Sequence, residues 1–291
     1  GVATTPPRAA DREIAMPVAE CRFRRLVALL LLLPAAWLAT AAVQPVRAAE
    51  RIGVVLMHGE QGAPGRIIEG LAQALEKGGY LVGRPDMCWS ARRSYEAPFD
   101  ACLAAIDEAI VRLRNLGATS IAVGGFSLGG AAAIAYGARH SGLLGIFALA
   151  PAHDARSAAE NAEVADSVAR ARRLAEDGKG EEQATFADVV FGPSGAYTTE
   201  IATTPAIYLS FFGPASPADI PGDARRLTAP LLWVAGAEDP TQRGGPDYGF
   251  ANAPANPLNR YLSIPSRHQN TPEKAEDAVL AWLAELAASQ R

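Results

Sequence analysis

From residue 52 onward the chain alternates short continuous apolar runs with longer segments whose apolar positions recur every three or four residues. IGVVLMHG (52–59) is Val- and Ile-rich and runs into glycines, which predicts a strand buried on both faces. RIIEGLAQALEKGG (66–79) carries Ile67, Leu71, Ala74 and Leu75 at helical spacing and stops at Gly78. YLVGRPDM (80–87) reads as a second strand. Residues 98–116 form an amphipathic helix through Cys102, Ile106, Ala109, Ile110 and Leu113, closing at Gly117. SIAVGGF (120–126) is a third strand, followed by an alanine-rich helix from Leu128 to Arg139. LLGIFALAPA (143–152), PLLWVAGAEDP (230–240) and RYLSIPSRH (260–268) are the remaining strands, and a last helix spans 272–288 behind Thr271-Pro272.

Continuous apolar strands separated by helices predict an α/β protein with a mostly parallel sheet covered by helices on both faces. Residues 153–228 break the alternation, because they are too long for an ordinary crossover. Their first part has helical spacing (Val164, Val168, Ala171, Leu174). The second part, ATFADVVFGPSGAYTTEIATTPAIYLSFFGPASPADIPG, is rich in turn residues and aromatics. The expected organisation is therefore a core of 49–152 and 229–291 with 153–228 inserted as a cap over the carboxyl ends of the strands, where such sheets bind ligands.

Residues 1–48 are different material. A basic stretch (Arg22, Arg24, Arg25), an apolar run from Leu26 broken by Pro34, and the small-residue end Val46-Arg47-Ala48 have the layout of a secretory signal cut after Ala48, with Met16 as a start and 1–15 as an extension. The other reading is an uncleaved anchor, since Leu26 to Val43 almost spans a bilayer. The expected location is periplasmic or secreted, with membrane contact only through this segment if it stays uncleaved. That stretch holds six basic and three acidic side chains, so its removal takes the formal charge from −4 to −7. Neither value suits a nucleic-acid partner, which needs a basic face. Cys88 and Cys102 remain after the cut, and export permits a disulfide between them; two buried thiols are the alternative.

The chemistry centres on Gly125-Phe126-Ser127-Leu128-Gly129, a G-x-S-x-G pattern between a strand and a helix. Such a turn is strained, needs glycines where side chains would collide, and lifts the serine hydroxyl over a helix N-terminus. A serine needs a base, and His268 is the only histidine after the fifth strand. The acid is expected just past that strand, at Asp239 in GAEDP rather than Glu238, with Asp154 as its competitor. An oxyanion site requires two backbone N–H donors, assigned to Leu128 and, from the loop HGEQGAPG, to Glu60. His58 is expected to pack beneath that loop.

The HG loop, GFSLGG, GAEDP and the late His268 together resemble the α/β-hydrolase superfamily over about residues 51–288. The compact form without the first two antiparallel strands is similar to its small carboxylesterase and dienelactone-hydrolase-like branch, except that Ser127 stands where dienelactone hydrolases carry cysteine. The resemblance implies a serine hydrolase acting on a small-molecule carboxylic ester or thioester through Ser127, His268 and Asp239, with no metal and no cofactor. An acyltransferase on the same scaffold and a non-catalytic exported binding protein are the competing functions. Trp89, Arg92, Tyr208 and Phe211 are candidates for contacting substrate, Arg92 through a carboxylate or phosphate group. The rings of the insertion are equally readable as its own core. Tyr248 and Phe250 are candidates for one side of the pocket.

Overall fold

The computed structural model describes residues 51–153, 155, 160–192, 195–242 and 244–290. The expected signal segment, and Asp154, lie outside the described residues.

Six parallel strands form one sheet: β1 (Ile52–Met57), β2 (Leu81–Gly83), β3 (Ser120–Phe126), β4 (Gly145–Leu149), β7 (Leu231–Gly236) and β8 (Arg260–Ile264), in the order β2-β1-β3-β4-β7-β8. Every residue of β1, β4 and β7 is buried. Side chains alternate across a strand, so each run feeds two cores. Val55, Met57, Val123, Ile146, Ala148 and Trp233 point to one face. Val54, Leu56, Ala122, Phe126, Phe147 and Val234 point to the other. The helix after β1, α1 (Glu69–Lys77), joins the second core through Leu71 and Leu75. The helix after β3, α4 (Leu128–Arg139), joins the first through Ala131 to Ala135. The chain therefore leaves adjacent strands β1 and β3 toward opposite faces, and the crevice this opens at their carboxyl ends is where open α/β sheets hold ligands.

Element boundaries differ from the expectation in three places. The second strand is only three residues long, because Arg84 and Pro85 turn away from the edge to carry the loop to Trp89. The predicted helix 98–116 is two, α2 (Phe99–Cys102) and α3 (Ala104–Asn115), with a tight turn at Leu103 beside Cys102. Cys102 is disulfide-bonded to Cys88, with 5.6 Å between the Cα atoms, which ties this turn to the loop after β2. The C-terminal segment is likewise split, into α8 (Thr271–Lys274) and α9 (Glu276–Ser289).

Between β4 and β7 lies an inserted cap with its own small antiparallel sheet. Helix α5 (Ala162–Glu176) opens with Asn161, whose side chain accepts the N–H groups of Glu163 and Val164. Strands β5 (Ala184–Gly192) and β6 (Gly195–Thr203) follow as a hairpin, then α6 (Pro205–Phe212) and α7 (Ile220–Ala224). The hairpin is not among the elements expected for this stretch, which reads only as rich in turn residues and aromatics. Its Val, Phe, Tyr, Thr and Ile content suits a pleated surface. Only Phe186, Asp188, Ile201 and Thr203 of it are buried, so its amphipathic signal is weak.

Candidate active site

Ser127 caps the N-terminus of α4 at φ 54°, ψ −122°, a conformation costly for any residue with a Cβ. Its N–H donates to the Leu149 carbonyl (2.9 Å) and its own carbonyl receives Gly130 N–H and Ala131 N–H (2.9 and 3.0 Å), so strand and helix hold the turn from both sides. The flanking glycines are there for space. A Cβ on Gly125 would lie 2.4 Å from the Gly129 carbonyl oxygen, and one on Gly129 would lie 2.6 Å from the carbonyl oxygens of Met57 and His58.

The loops after β7 and β8 are laced together: Ala237 N–H donates to Ile264 O and Glu238 N–H to Ser266 O. That lacing brings Asp239 and His268 face to face. His268 Nδ1 lies 2.7 Å from Asp239 Oδ2, and His268 Nε2 lies 3.0 Å from Ser127 Oγ. An ionised carboxylate only accepts, so Nδ1 carries the proton and Nε2 is left to receive the serine hydroxyl. Asp239 Oδ1 takes Thr241 N–H (2.8 Å), which fixes the carboxylate plane. All three side chains are buried. Glu238 instead points outward and pairs with Arg267 at 3.5 Å.

No family model and no curated protein matches the sequence. Among solved structures, the chain is similar to a metagenome-derived lipolytic enzyme (TM-score 0.59, 18% identity, covering 83% of this chain and 95% of that one). It is similar to the monoacylglycerol lipase of Paleococcus ferrophilus (0.58, 20%, 80% and 94%) and to Est1E of Butyrivibrio proteoclasticus with ferulic acid bound (0.56, 15%, 83% and 92%). The chain has the α/β-hydrolase fold.

Within this α/β-hydrolase fold the loop after β1 lies against the serine: a Cβ on Gly59 would sit 3.0 Å from Ser127 Cβ. Glu60 follows, so the loop carrying it and Leu128, the first residue of α4, flank the hydroxyl. His58 is a staple beneath this loop. Its Nε2 accepts Met87 N–H (3.1 Å), so Nδ1 carries the proton and donates to Gly59 O (2.8 Å). Burial pulls its pKa down, against the Gly59 hydrogen bond and the Asp86 charge.

Of the four residues expected to contact substrate, three are buried against other rings and one is exposed. Trp89 is fully buried, donates from Nε1 to His58 O (3.2 Å) and packs on Phe99 and Phe211. Phe211 is enclosed by Tyr95, Phe99 and His153. Tyr208 stacks between Phe186 and Phe212 and donates to Ala187 O (2.7 Å). These rings weld the cap to the body because their large apolar area is worth most when fully removed from water. Arg92 is exposed and its guanidinium pairs with Asp86 (2.6 Å). Tyr248 and Phe250 pack on Trp233 and Tyr261.

Two features escaped the sequence reading. The imidazole of His268 lies between Phe126 of the body (4.8 Å between centroids) and Phe191 of the cap hairpin (5.5 Å). Beside the loop after β1, a polar cluster joins Glu60, Gln61, Tyr95, His153 and Asp188. Backbone strain gathers there as well, with positive φ at Gln61, Ser94, Tyr95 and His153. Among these residues only Glu60 belongs to a recognisable motif, and there through its amide.

Proposed function

We propose that the protein is an exported serine hydrolase that cleaves carboxylic esters or thioesters of small molecules. The observation that carries this reading is the unbroken line from Ser127 Oγ to His268 Nε2 (3.0 Å) and from His268 Nδ1 to Asp239 Oδ2 (2.7 Å), at the end of a strained strand–turn–helix elbow. The solved neighbours named above as a lipolytic enzyme, a lipase and a ferulic-acid-binding esterase support it.

In this mechanism His268 takes the Ser127 proton as Oγ attacks the ester carbonyl carbon, and the backbone amides of Leu128 and Glu60 receive the negative oxygen. Asp239 holds the imidazole in the reactive tautomer and stabilises its cationic form. The tetrahedral adduct collapses, His268 returns the proton to the leaving alcohol or thiol, and the acyl group stays on Ser127. Water then enters, His268 removes its proton, and the acid leaves as the serine recovers its hydrogen. The sequence of steps calls for no metal and no cofactor. Residues 49–152 and 229–291 supply the reacting groups, and 153–228 covers them.

Export follows from the signal-like segment 1–48, and the Cys88–Cys102 pair suits an oxidising compartment. The exported protein is expected to begin at Ala49 by mass spectrometry.

The test is labelling by a fluorophosphonate together with turnover of p-nitrophenyl esters of graded chain length. Both are expected in the wild type and lost in Ser127→Ala. A folded wild type that neither labels nor turns over would overturn the reading in favour of a binding protein.

A further inference from the structure

Asp188 comes from strand β5 of the cap and belongs to none of the motifs above. Its carboxyl is 1% exposed. Oδ2 lies 3.2 Å from Tyr95 Oη and 3.2 Å from Gln61 Nε2, while Oδ1 is buried with no hydrogen-bond partner among the described residues. Tyr95 Oη in turn hydrogen-bonds Glu60 Oε1, and that same oxygen lies 3.1 Å from His153 Nδ1. His153 Nε2 lies 3.1 Å from the Phe211 carbonyl oxygen.

Counting protons orders the cluster. The Phe211 carbonyl can only accept, so His153 Nε2 carries a hydrogen. Nδ1 faces a carboxyl oxygen and is paired best when it carries one too, which makes His153 an imidazolium against a Glu60 carboxylate. Tyr95 has a single hydroxyl proton for two carboxyl groups. Given to Glu60, it leaves the phenol oxygen with a lone pair toward Asp188 Oδ2. That arrangement is satisfied only when Asp188 itself holds a proton there. A neutral acid also relieves the unpartnered Oδ1, since a buried charged oxygen with no partner is far costlier than a buried neutral carbonyl.

We propose that Asp188, as a neutral carboxylic acid, is a positioning residue that reaches from the cap through Tyr95 to Glu60 and so sets the Glu60 backbone amide that receives the oxyanion. This rests on the ester-hydrolase reading of Ser127. The leverage is geometric: an oxyanion donor acts only when held about 2.7–3.1 Å from where the negative oxygen will form. Glu60 has its side chain gripped by Tyr95 and His153, the Gly59 carbonyl that shares a peptide with the Glu60 N–H accepts Gly62 N–H (3.1 Å), and Gln61 N–H in the next peptide is tied to Trp89 O (3.0 Å), so Glu60 is held on both sides. Burial, then the Glu60 charge, push the Asp188 pKa up to about 7, against the pull of His153, Gln61 and Tyr95. The other ionisable groups around it are Tyr208 on α6, whose own pKa burial and Asp188 raise, and Arg170 on α5, which sits over the Phe186 ring.

The test uses the whole chain as wild type, Asp188→Asn and Asp188→Ala, with kcat and KM for p-nitrophenyl acetate measured from pH 5 to 9 alongside fluorophosphonate labelling and melting curves. Wild-type kcat is expected to fall as pH rises through about 7, where Asp188 loses its proton. Asp188→Asn keeps a neutral donor toward Tyr95 once Gln61 turns its carboxamide, so it is expected to retain kcat at pH 6 and to lose that alkaline fall. Asp188→Ala is expected to lower kcat by about 10- to 100-fold with KM within about twofold, part of the cost of losing an oxyanion donor. If Asp188→Ala fails to fold, the Asp188→Asn profile decides. An unchanged alkaline fall in Asp188→Asn, or full kcat in folded Asp188→Ala, overturns the positioning role while leaving hydrolysis intact. Absence of labelling and turnover in the wild type overturns both.

Discussion

Phe191 lies with its ring centroid 5.5 Å from that of His268, and its carbonyl oxygen accepts a hydrogen bond from the side chain of Gln269, the next residue along. The cap hairpin thus touches the imidazole of the site directly, opposite Phe126. A ring packed on the imidazole covers part of it from water, and charge interactions strengthen as water is excluded. Phe191→Ala is expected to lower kcat/KM for p-nitrophenyl esters by on the order of 10-fold, and Phe191→Leu to recover most of it, since an aliphatic side chain excludes water nearly as well. Steady-state kinetics on the two variants checks this.

The line of Ser127, His268 and Asp239 should behave as one unit. Ser127→Ala and His268→Ala are each expected to reduce kcat by on the order of 10⁴- to 10⁶-fold, and the double variant by no more than either alone. Asp239→Asn keeps the shape but favours the wrong tautomer, and is expected to cost about 10⁴-fold. Glu238→Gln should leave the rate within about twofold, because an exposed pair such as Glu238–Arg267 contributes little. Burst and steady-state measurements on the five variants separate these outcomes.

Much of this architecture was legible because the strands are buried on both faces and therefore read as unbroken apolar runs ending at glycines. The order of the strand ends then put Ser127, Asp239 and His268 at one edge of the sheet. The hairpin 184–203 was not legible: most of its side chains face water, and its threonines and glycines look like loop. The rings of Trp89, Tyr208 and Phe211 were visible in the sequence, but composition cannot say whether an aromatic faces a cavity or another ring, and here they face each other. The Asp188 cluster draws on four separate stretches, with Gln61 and Asp188 127 residues apart, a proximity no local pattern encodes.

Gly129 lies beneath the end of β1 and the loop that follows it. In Gly129→Ala the new methyl would sit 2.6 Å from the backbone oxygens of Met57 and His58, and neither is free to move within a central strand and its loop. The variant is expected to lose about 1–3 kcal/mol of stability by overpacking and to lose activity in its folded fraction. Urea titration and active-site labelling together detect both effects.

The Cys88–Cys102 bond closes a segment with a sequence separation of 14 that carries Trp89 and Tyr95. Chain-entropy reasoning gives about 3 kcal/mol for a loop of this size. Replacing both cysteines by serine is expected to lower unfolding free energy by about that much, and dithiothreitol should shift the wild type toward the variant while leaving the variant unmoved. Denaturant unfolding with and without reductant measures it.

Stability should respond to pH in opposite senses through His58 and Asp188. The folded His58 binds its proton more weakly than the usual 6.5, because burial and its acceptor role toward Met87 favour the neutral ring. The unfolded chain therefore holds more protons just below 6.5, and this contribution is present at neutral pH and lost as pH falls through the lowered folded value. Asp188 runs the other way: its proton is held more tightly in the fold, up to about 7 against 3.8, so its contribution fades as pH rises through that window. Between pH 5 and 8, His58→Gln is expected to lose the drop in unfolding free energy toward acid below 6.5, and Asp188→Asn the decline with rising pH that ends at about 7.

Strands β4 and β7 are immediate neighbours, paired from Ile146 with Leu231 to Leu149 with Val234. The pair is parallel, so the segment between them leaves at the carboxyl end of β4 and crosses back to the amino end of β7. That segment also brings Phe191 onto the imidazole of His268, so the insertion and the body share this contact, and a change in the one is felt by the other.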